Sequence, residues 1–208
     1  IAYFLVAGAV VVDKILLKRS VPSPLVYTIY VNLLQIFVVF LIPFGFSLEG
    51  SQATYLAIVS GLVSFFALYA FFHSLKLHEA SLVSPLVGAF NPLFALMIEW
   101  LFLGQILNIA QYLAILVLII GTIVFTHNQW AHHFRPNRSL SWIIISGLLF
   151  AVSFVLLRQA LLQTSFINGL VVSRLAAGLL AGSLLIMPNI RRQVLEHHRN
   201  SPLTSRSV

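Results

Sequence analysis

The chain has 208 residues, of which 60% are hydrophobic and only 8% charged, where a typical soluble domain carries about 25% charge. With a mean hydropathy of +0.99 it has too little polar surface to cover a water-soluble fold, which excludes a soluble enzyme, a disordered chain and a nucleic-acid module. The net charge of +7 does not bring nucleic acid back, because the basic residues lie in short loops between apolar runs, a membrane-topology pattern. There is no cysteine, hence no disulfide framework, thiol nucleophile or Cys-ligated metal.

A helix needs about 20 apolar residues to cross a bilayer, and helices dominate such spans because lipid cannot satisfy a free backbone amide. Seven spans are expected in an all-α, polytopic membrane protein. The first runs from Ile1 to about Leu17 and is interrupted late by Asp13 and Lys14. It is too long and too polar at its end for a signal peptide, and no small-residue cleavage site follows. The second covers about Leu25 to Phe46, the third Ala53 to Leu75, and the fourth Ala80 to Leu103 with Pro85 and Pro92 inside it. The fifth covers about Ile109 to Thr126. A polar stretch, His127 to Ser139, separates it from the sixth, Leu140 to Leu162, and the seventh, Ile167 to Met187. The tail from Pro188 reads as polar and basic without apolar periodicity. Short loops predict that consecutive helices pack as antiparallel neighbours. A start at Ile1, already inside an apolar run, reads as a fragment lacking at least its N-terminal edge.

Sliding the chain by 145 positions lays Tyr3–Pro43 on Leu148–Pro188 without a gap, with eight identities in 41 positions. Val10, Leu16, Leu17, Ser20, Leu25, Val26, Leu34 and Pro43 meet their like, and Asp13 meets Arg158. The expected organisation is a five-helix unit over 1–135 and the first two helices of a second copy over 139–208. An odd number of helices inverts the second copy, and inverted repeats are a transporter architecture.

The stretch Glu79-Ala-Ser-Leu-Val-Ser-Pro-Leu-Val-Gly-Ala-Phe-Asn-Pro-Leu-Phe-Ala-Leu-Met-Ile-Glu-Trp-Leu-Phe-Leu-Gly104 resembles the fourth helix of the EamA-type drug/metabolite transporter superfamily. Gln111-Tyr-Leu-Ala-Ile-Leu-Val-Leu-Ile-Ile-Gly-Thr122 is similar to its fifth helix, and Phe154-Val-Leu-Leu-Arg-Gln-Ala-Leu161 to the opening helix of its second repeat. The resemblance implies a ten-helix bundle of two inverted five-helix repeats around a central cavity, with about three helices beyond this chain. It also implies carriage of small solutes by alternating access in a bacterial or archaeal plasma membrane. One departure concerns the residue after Leu-Gly, usually Glu in the family and here Gln105.

Several polar residues are candidates for a substrate site. Ser81, Ser84, Gly88, Asn91, Ala95 and Glu99 share one face of the fourth helix by spacing. Small residues suit close helix packing, and the same face could line a polar path, with Asn91 and Glu99 the sharpest candidates. Pro85 and Pro92 remove backbone donors and favour this helix as a cavity wall. Glu99 is a carboxylate near a span, where charge is costly and tends to be functional. Thr28, Asn32 and Gln35 form a neutral polar face on the second helix, suited either to a solute or to a neighbouring helix. Arg174 lies too deep in the seventh helix to reach headgroup water by snorkelling. It suits an anionic substrate group or a carboxylate such as Glu99, and its repeat counterpart is Ile29. Gly169, Ser173, Ala177 and Ala181 read as a packing face.

Tyr69 and His73 read as an interfacial pair. His132-His133 and His197-His198 lack a third ligand at useful spacing, so neither a metal nor any other cofactor is expected. Lys14, Lys18, Arg19, Lys76, Arg135, Arg138, Arg191, Arg192, Arg199 and Arg206 fall in odd-numbered loops and the tail. The positive-inside rule then puts the first residue outside, whereas the resemblance implies a cytoplasmic start, so orientation stays open.

The expected function is transport, with Asn32, Gln35, Ser84, Asn91, Glu99 and Arg174 as substrate-binding candidates and the lipid bilayer and a small solute as partners. A lipid-headgroup flippase shares the architecture. An intramembrane serine protease lacks a supporting motif at Ser60-Gly61 or Ser146-Gly147, and a retinal protein needs a lysine where the seventh helix has Arg174. Without further helices the chain would need a partner or a homodimer to close a cavity.

Overall fold

The computed structural model describes residues 2–19, 21, 23–47, 50–104, 108–133 and 139–199. These form eight helices: α1 (Ala2–Arg19), α2 (Pro24–Leu34), α3 (Ser51–Leu77), α4 (Ala80–Leu103), α5 (Ile109–His133), α6 (Ser139–Leu161), α7 (Phe166–Leu184) and α8 (Pro188–Arg199). The chain of α2 continues without a break as a 3-10 segment, Gln35–Phe44. No strand occurs among the described residues. Pro24 opens α2 at a position whose amide would have no helical partner. The left-handed Gly104 (φ +60°) closes α4, its N–H bonded to the carbonyl of Glu99.

Five of these elements are long and apolar enough to cross a membrane: Pro24–Phe44, Gln52–Leu77, Ala80–Phe102, Leu140–Leu161 and Phe166–Leu184. Two of the seven expected spans fall short among the described residues. α1 carries Asp13, Lys14, Lys18 and Arg19 within its 18 residues, and the apolar part of α5 is the shorter run Ile109–Gly121. The tail from Pro188 departs further from expectation. It forms the amphipathic α8, with Ile190 and Val194 half-buried and Arg191, Arg192 and Gln193 exposed. Among the described side chains of this helix only Ile190 and Val194 turn inward, too few to register as periodicity in a basic segment.

The centre of the bundle is α3. It packs most extensively on α6 and then on α7, while α4 also lies along α6. Consecutive helices touch far less: α3 with α4 and α6 with α7 share little surface. The expectation of sequential antiparallel neighbours is thus corrected. A short loop brings two ends together, but the mates along the length are chosen by where the backbones can approach.

Those approach points are two Ser-Gly pairs. Ser60 donates to the carbonyl of Ser153 at 2.9 Å and Ser153 returns a bond to the carbonyl of Ser60 at 3.0 Å, joining α3 to α6. One residue on, a Cβ at Gly61 would stand 2.0 Å from the backbone oxygen of Ser173 on α7. Ser146 of α6 donates to the carbonyl of Ala67 on α3 at 3.2 Å, and a Cβ at Gly147 would stand 2.6 Å from Cβ of Phe90 on α4. In lipid there is no hydrophobic drive between helices, so small residues and interhelical hydrogen bonds do the joining.

The two charges that interrupt α1 are both used. Asp13 accepts a 2.5 Å bond from the hydroxyl of Tyr27 on α2. The ammonium of Lys14 donates to the carbonyls of Leu75 and His78, where the last turn of α3 leaves carbonyls unpaired and the helix dipole favours a cation. The imidazole of His78, between α3 and α4, is held below its ordinary pKa by burial and then by the nearby Lys14 charge. A base whose folded pKa is depressed stabilises the fold above its unfolded pKa and loses that contribution as pH falls through it. Thermal unfolding in detergent is therefore expected to show the protein less stable at pH 5 than at pH 7.5. His78→Asn should flatten part of that slope, and an unchanged slope would remove His78 from the account.

Exposed apolar side chains cover the outside, among them Phe37, Phe40, Phe44, Phe102, Leu113 and Val117. This is a lipid-facing surface, since water would not tolerate so much contiguous apolar area.

Candidate functional site

A cleft of mixed polar and apolar lining opens among α3, α6 and α7, with an empty volume of about 320 Å³ counting its mouth. Ser60 and Ser64 come from α3, Phe150, Ser153, Phe154 and Leu157 from α6, and Ser173 and Arg174 from α7. Most of these residues lie in the middle part of their membrane-crossing helices, with Leu157 nearer the end of α6. The guanidinium of Arg174 donates to the side-chain oxygen of Gln35 at 3.1 Å. Gln35 is where α2 passes into its 3-10 segment. Two of the sequence-predicted site residues, far apart in the chain, are thus brought together.

The hydroxyls of the cleft are committed. Beyond the Ser60–Ser153 exchange, Ser64 donates to the carbonyl of Gly61 at 2.7 Å and Ser173 to that of Leu170 at 3.1 Å. Each hydroxyl has one proton to give, so what these serines turn toward a ligand is an oxygen lone pair.

Asn32 lies on the same face of α2, one turn before Gln35, and is fully buried. Its amide nitrogen donates to the carbonyl of Thr28 at 2.8 Å, while its Oδ1 has no partner. A Cβ at Gly178 of α7 would stand 3.2 Å from the Asn32 carbonyl oxygen. Thr28 is also buried and bonds back to the carbonyl of Pro24 at 2.8 Å. An orphaned buried acceptor costs about 1–3 kcal/mol, against about 1 kcal/mol for a neutral bond. Asn32→Leu is therefore expected to leave thermal stability unchanged or raise it by about 1 kcal/mol. A loss beyond about 2 kcal/mol would mean that Oδ1 has a partner, such as a buried water.

The α4 candidates are placed differently. α4 runs unbroken through Pro85 and Pro92 and buries Leu82, Val83, Leu86 and Val87. Of the small-residue stripe, Ser81 and Gly88 are exposed, and Ser84, Asn91 and Ala95 are half-buried. A Cβ at Gly88 would meet nothing within 4 Å, so no helix seam forms there. No α4 residue lines the Arg174 cleft. Glu99 reaches α6 instead, where its carboxylate pairs with Arg158. The pairing of Arg174 with a carboxylate such as Glu99 is thus corrected: Arg174 takes Gln35 and Glu99 takes Arg158, because α4 packs along α6 whereas α7 packs on α3 and α2. Arg158 was open to discovery only as the repeat counterpart of Asp13.

The predicted packing face of α7 is found as expected, with Gly169, Ser173, Ala177 and Ala181 all buried. Asn168 at its first turn, which the sequence reading passed over, clamps the chain after the 3-10 segment. It accepts from the Ser47 amide at 2.8 Å and donates to the hydroxyls of Thr164 (3.0 Å) and Ser47 (3.3 Å). A smaller cleft of about 200 Å³ adjoins it, lined in part by Thr54, Thr164 and Asn168. Tyr69 and His73 share Trp142 of α6, whose ring lies 4.5 Å from the imidazole centroid. Gln105 lies outside the described residues, as do the side chains of His132, His133, His197 and His198.

An all-helical polytopic bundle with a lipid-facing exterior and a charged cleft at mid-depth defines an integral membrane protein. Its sequence matches the model of the EamA-like transporter family over residues 1–126, and the chain belongs to that family, within the drug/metabolite transporter superfamily. Members of the family are membrane transporters. None of the curated proteins and none of the solved structures matches the chain.

Proposed function

We propose that this chain moves a small metabolite or drug-like solute across the membrane by alternating access, as a secondary carrier driven by a gradient or by exchange. One observation supports this reading above the others: a cation, Arg174, lines a cleft at mid-depth and is hydrogen-bonded to Gln35. Intramembrane charges of this kind mark solute paths, and carriers of inverted-repeat design bind near the midplane. Arg174 and Gln35 are the solute contacts. Asn32, Ser84, Asn91 and Glu99 belong to faces that reach the solute as the bundle rocks. Catalysis has no part in this reading, and the membrane is a prokaryotic plasma membrane.

In this reading residues 1–135 are one repeat, 139–208 open a second, inverted one, and one repeat rocks on the other. The 3-10 segment is suited to such motion. Ten residues at about 2.0 Å rise span about 20 Å, against about 15 Å as α-helix, so a 3-10 to α change would draw the end of α2 inward by about 5 Å.

The test is uptake. Purified chain is reconstituted in vesicles and offered a defined mixture of isotope-labelled small metabolites. Saturable accumulation of at least one solute above protein-free vesicles is expected, and filling the cleft with Leu157→Trp should abolish it. No accumulation of any solute under any imposed gradient would sink the carrier reading.

A further inference from the structure

Building on the carrier reading above, we propose that the Arg174 cleft binds the charged end of a small organic anion, a carboxylate or sulfonate on a compact apolar body. Arg174 is a mid-depth cation whose neighbour, Gln35, is neutral. The carboxylates whose side chains are described are engaged elsewhere: Asp13 accepts from Tyr27, Glu99 pairs with Arg158, and Glu79 stands at the start of α4. No described carboxylate neutralises Arg174. A guanidinium offers five N–H donors, one bond to the Gln35 oxygen leaves four for other acceptors, and Arg174 lines the cleft. A charge in that setting is costly without a partner, and a carboxylate or sulfonate supplies both the charge and the paired acceptors that fit the guanidinium fork.

The rest of the lining sharpens the choice. The four serine hydroxyls give their protons to backbone carbonyls, so they offer lone pairs and do not compete with Arg174 as donors. Phe150, Phe154 and Leu157 form an apolar wall on the α6 side. The arrangement reads a ligand with one anionic end and a short apolar remainder, and it discriminates against the neutral amide of the same shape, whose NH₂ would face the guanidinium.

The experiment compares matched pairs on the full chain in nanodiscs: propionate with propionamide, benzoate with benzamide, and methanesulfonate with methanesulfonamide. The anions are expected to raise the melting temperature saturably and the amides not. Arg174→Gln should weaken anion binding about tenfold or more, the scale of a lost hydrogen bond to a charged group. Arg174→Lys should restore part of it, and Leu157→Trp, which keeps the arginine, should block it. Equal responses to acid and amide, anion binding that survives Arg174→Gln in a folded protein, or no response to either set would each overturn the proposal.

Flux through proteoliposomes separates this inference from the carrier reading. Transport of neutral solutes with no anion binding would refute the anion class and leave the carrier standing. Saturable anion binding with no flux of any solute would do the reverse.

Discussion

Gly61→Ala should destabilise the bundle strongly while Gly88→Ala should not, although both replace a glycine inside an apolar helix. At Gly61 the new methyl would stand 2.0 Å from the backbone oxygen of Ser173, which has no rotamer to escape into. α3 and α7 would have to separate, and the reciprocal Ser60–Ser153 bonds one residue away would be strained with them. Overpacking of this kind costs about 1–3 kcal/mol and sometimes more. At Gly88 the same methyl meets nothing within 4 Å, and alanine is the better helix former by about 1 kcal/mol. Thermal or SDS unfolding of the two variants side by side is the measurement. Equal stabilities would mean that α3 and α7 are not in the close contact described.

Breaking the Glu99–Arg158 pair should have an asymmetric effect. The side chain of Glu99 is 13% exposed and that of Arg158 is 50% exposed. Arg158→Leu strands a covered carboxylate, whereas Glu99→Leu leaves a guanidinium that is already half exposed. Exposed pairs contribute about 0–1 kcal/mol, and stranding one charge of a buried pair costs about 3–5 kcal/mol. This pair lies between those limits, so Arg158→Leu is expected to cost about 2 kcal/mol and Glu99→Leu under about 1 kcal/mol. A double-mutant cycle with the exchanged pair, Glu99→Arg with Arg158→Glu, should recover part of the loss. If the two single variants lose the same amount, the difference in exposure does not govern the pair.

The contrast between the two glycines shows how far sequence alone reaches. Both sit in stripes of small residues at helical spacing. The α7 stripe Gly169–Ala181 is buried against its neighbours, whereas the α4 stripe leaves Ser81 and Gly88 open. Spacing reports which residues share a face and not what that face meets. The Ser-Gly pairs at 60–61 and 146–147 make the same point. As catalytic motifs they had no support, and as joints they organise α3, α6, α7 and α4.

Charge was legible in kind and not in partner. Arg174 stands out in the sequence because a cation deep in an apolar run demands an explanation. Its contact with Gln35 spans 139 positions and depends on α7 lying along α2. Glu99 likewise stands out, while the choice of Arg158 over Arg174 depends on α6 lying beside α4. The family resemblance and the helix bounds of α4 were available from the chain itself, since a membrane span must be long, apolar and capped whatever surrounds it.

The sequence by itself thus determined an all-helical membrane protein of the EamA-like family, because local apolarity and length decide insertion into lipid without reference to other helices. Only the tertiary structure decided which small residues let backbones touch, which charges neutralise one another, and that an arginine hydrogen-bonded to a glutamine lines a cleft at mid-depth. Those outcomes depend on the side-by-side order of helices, which no periodicity within a single helix encodes.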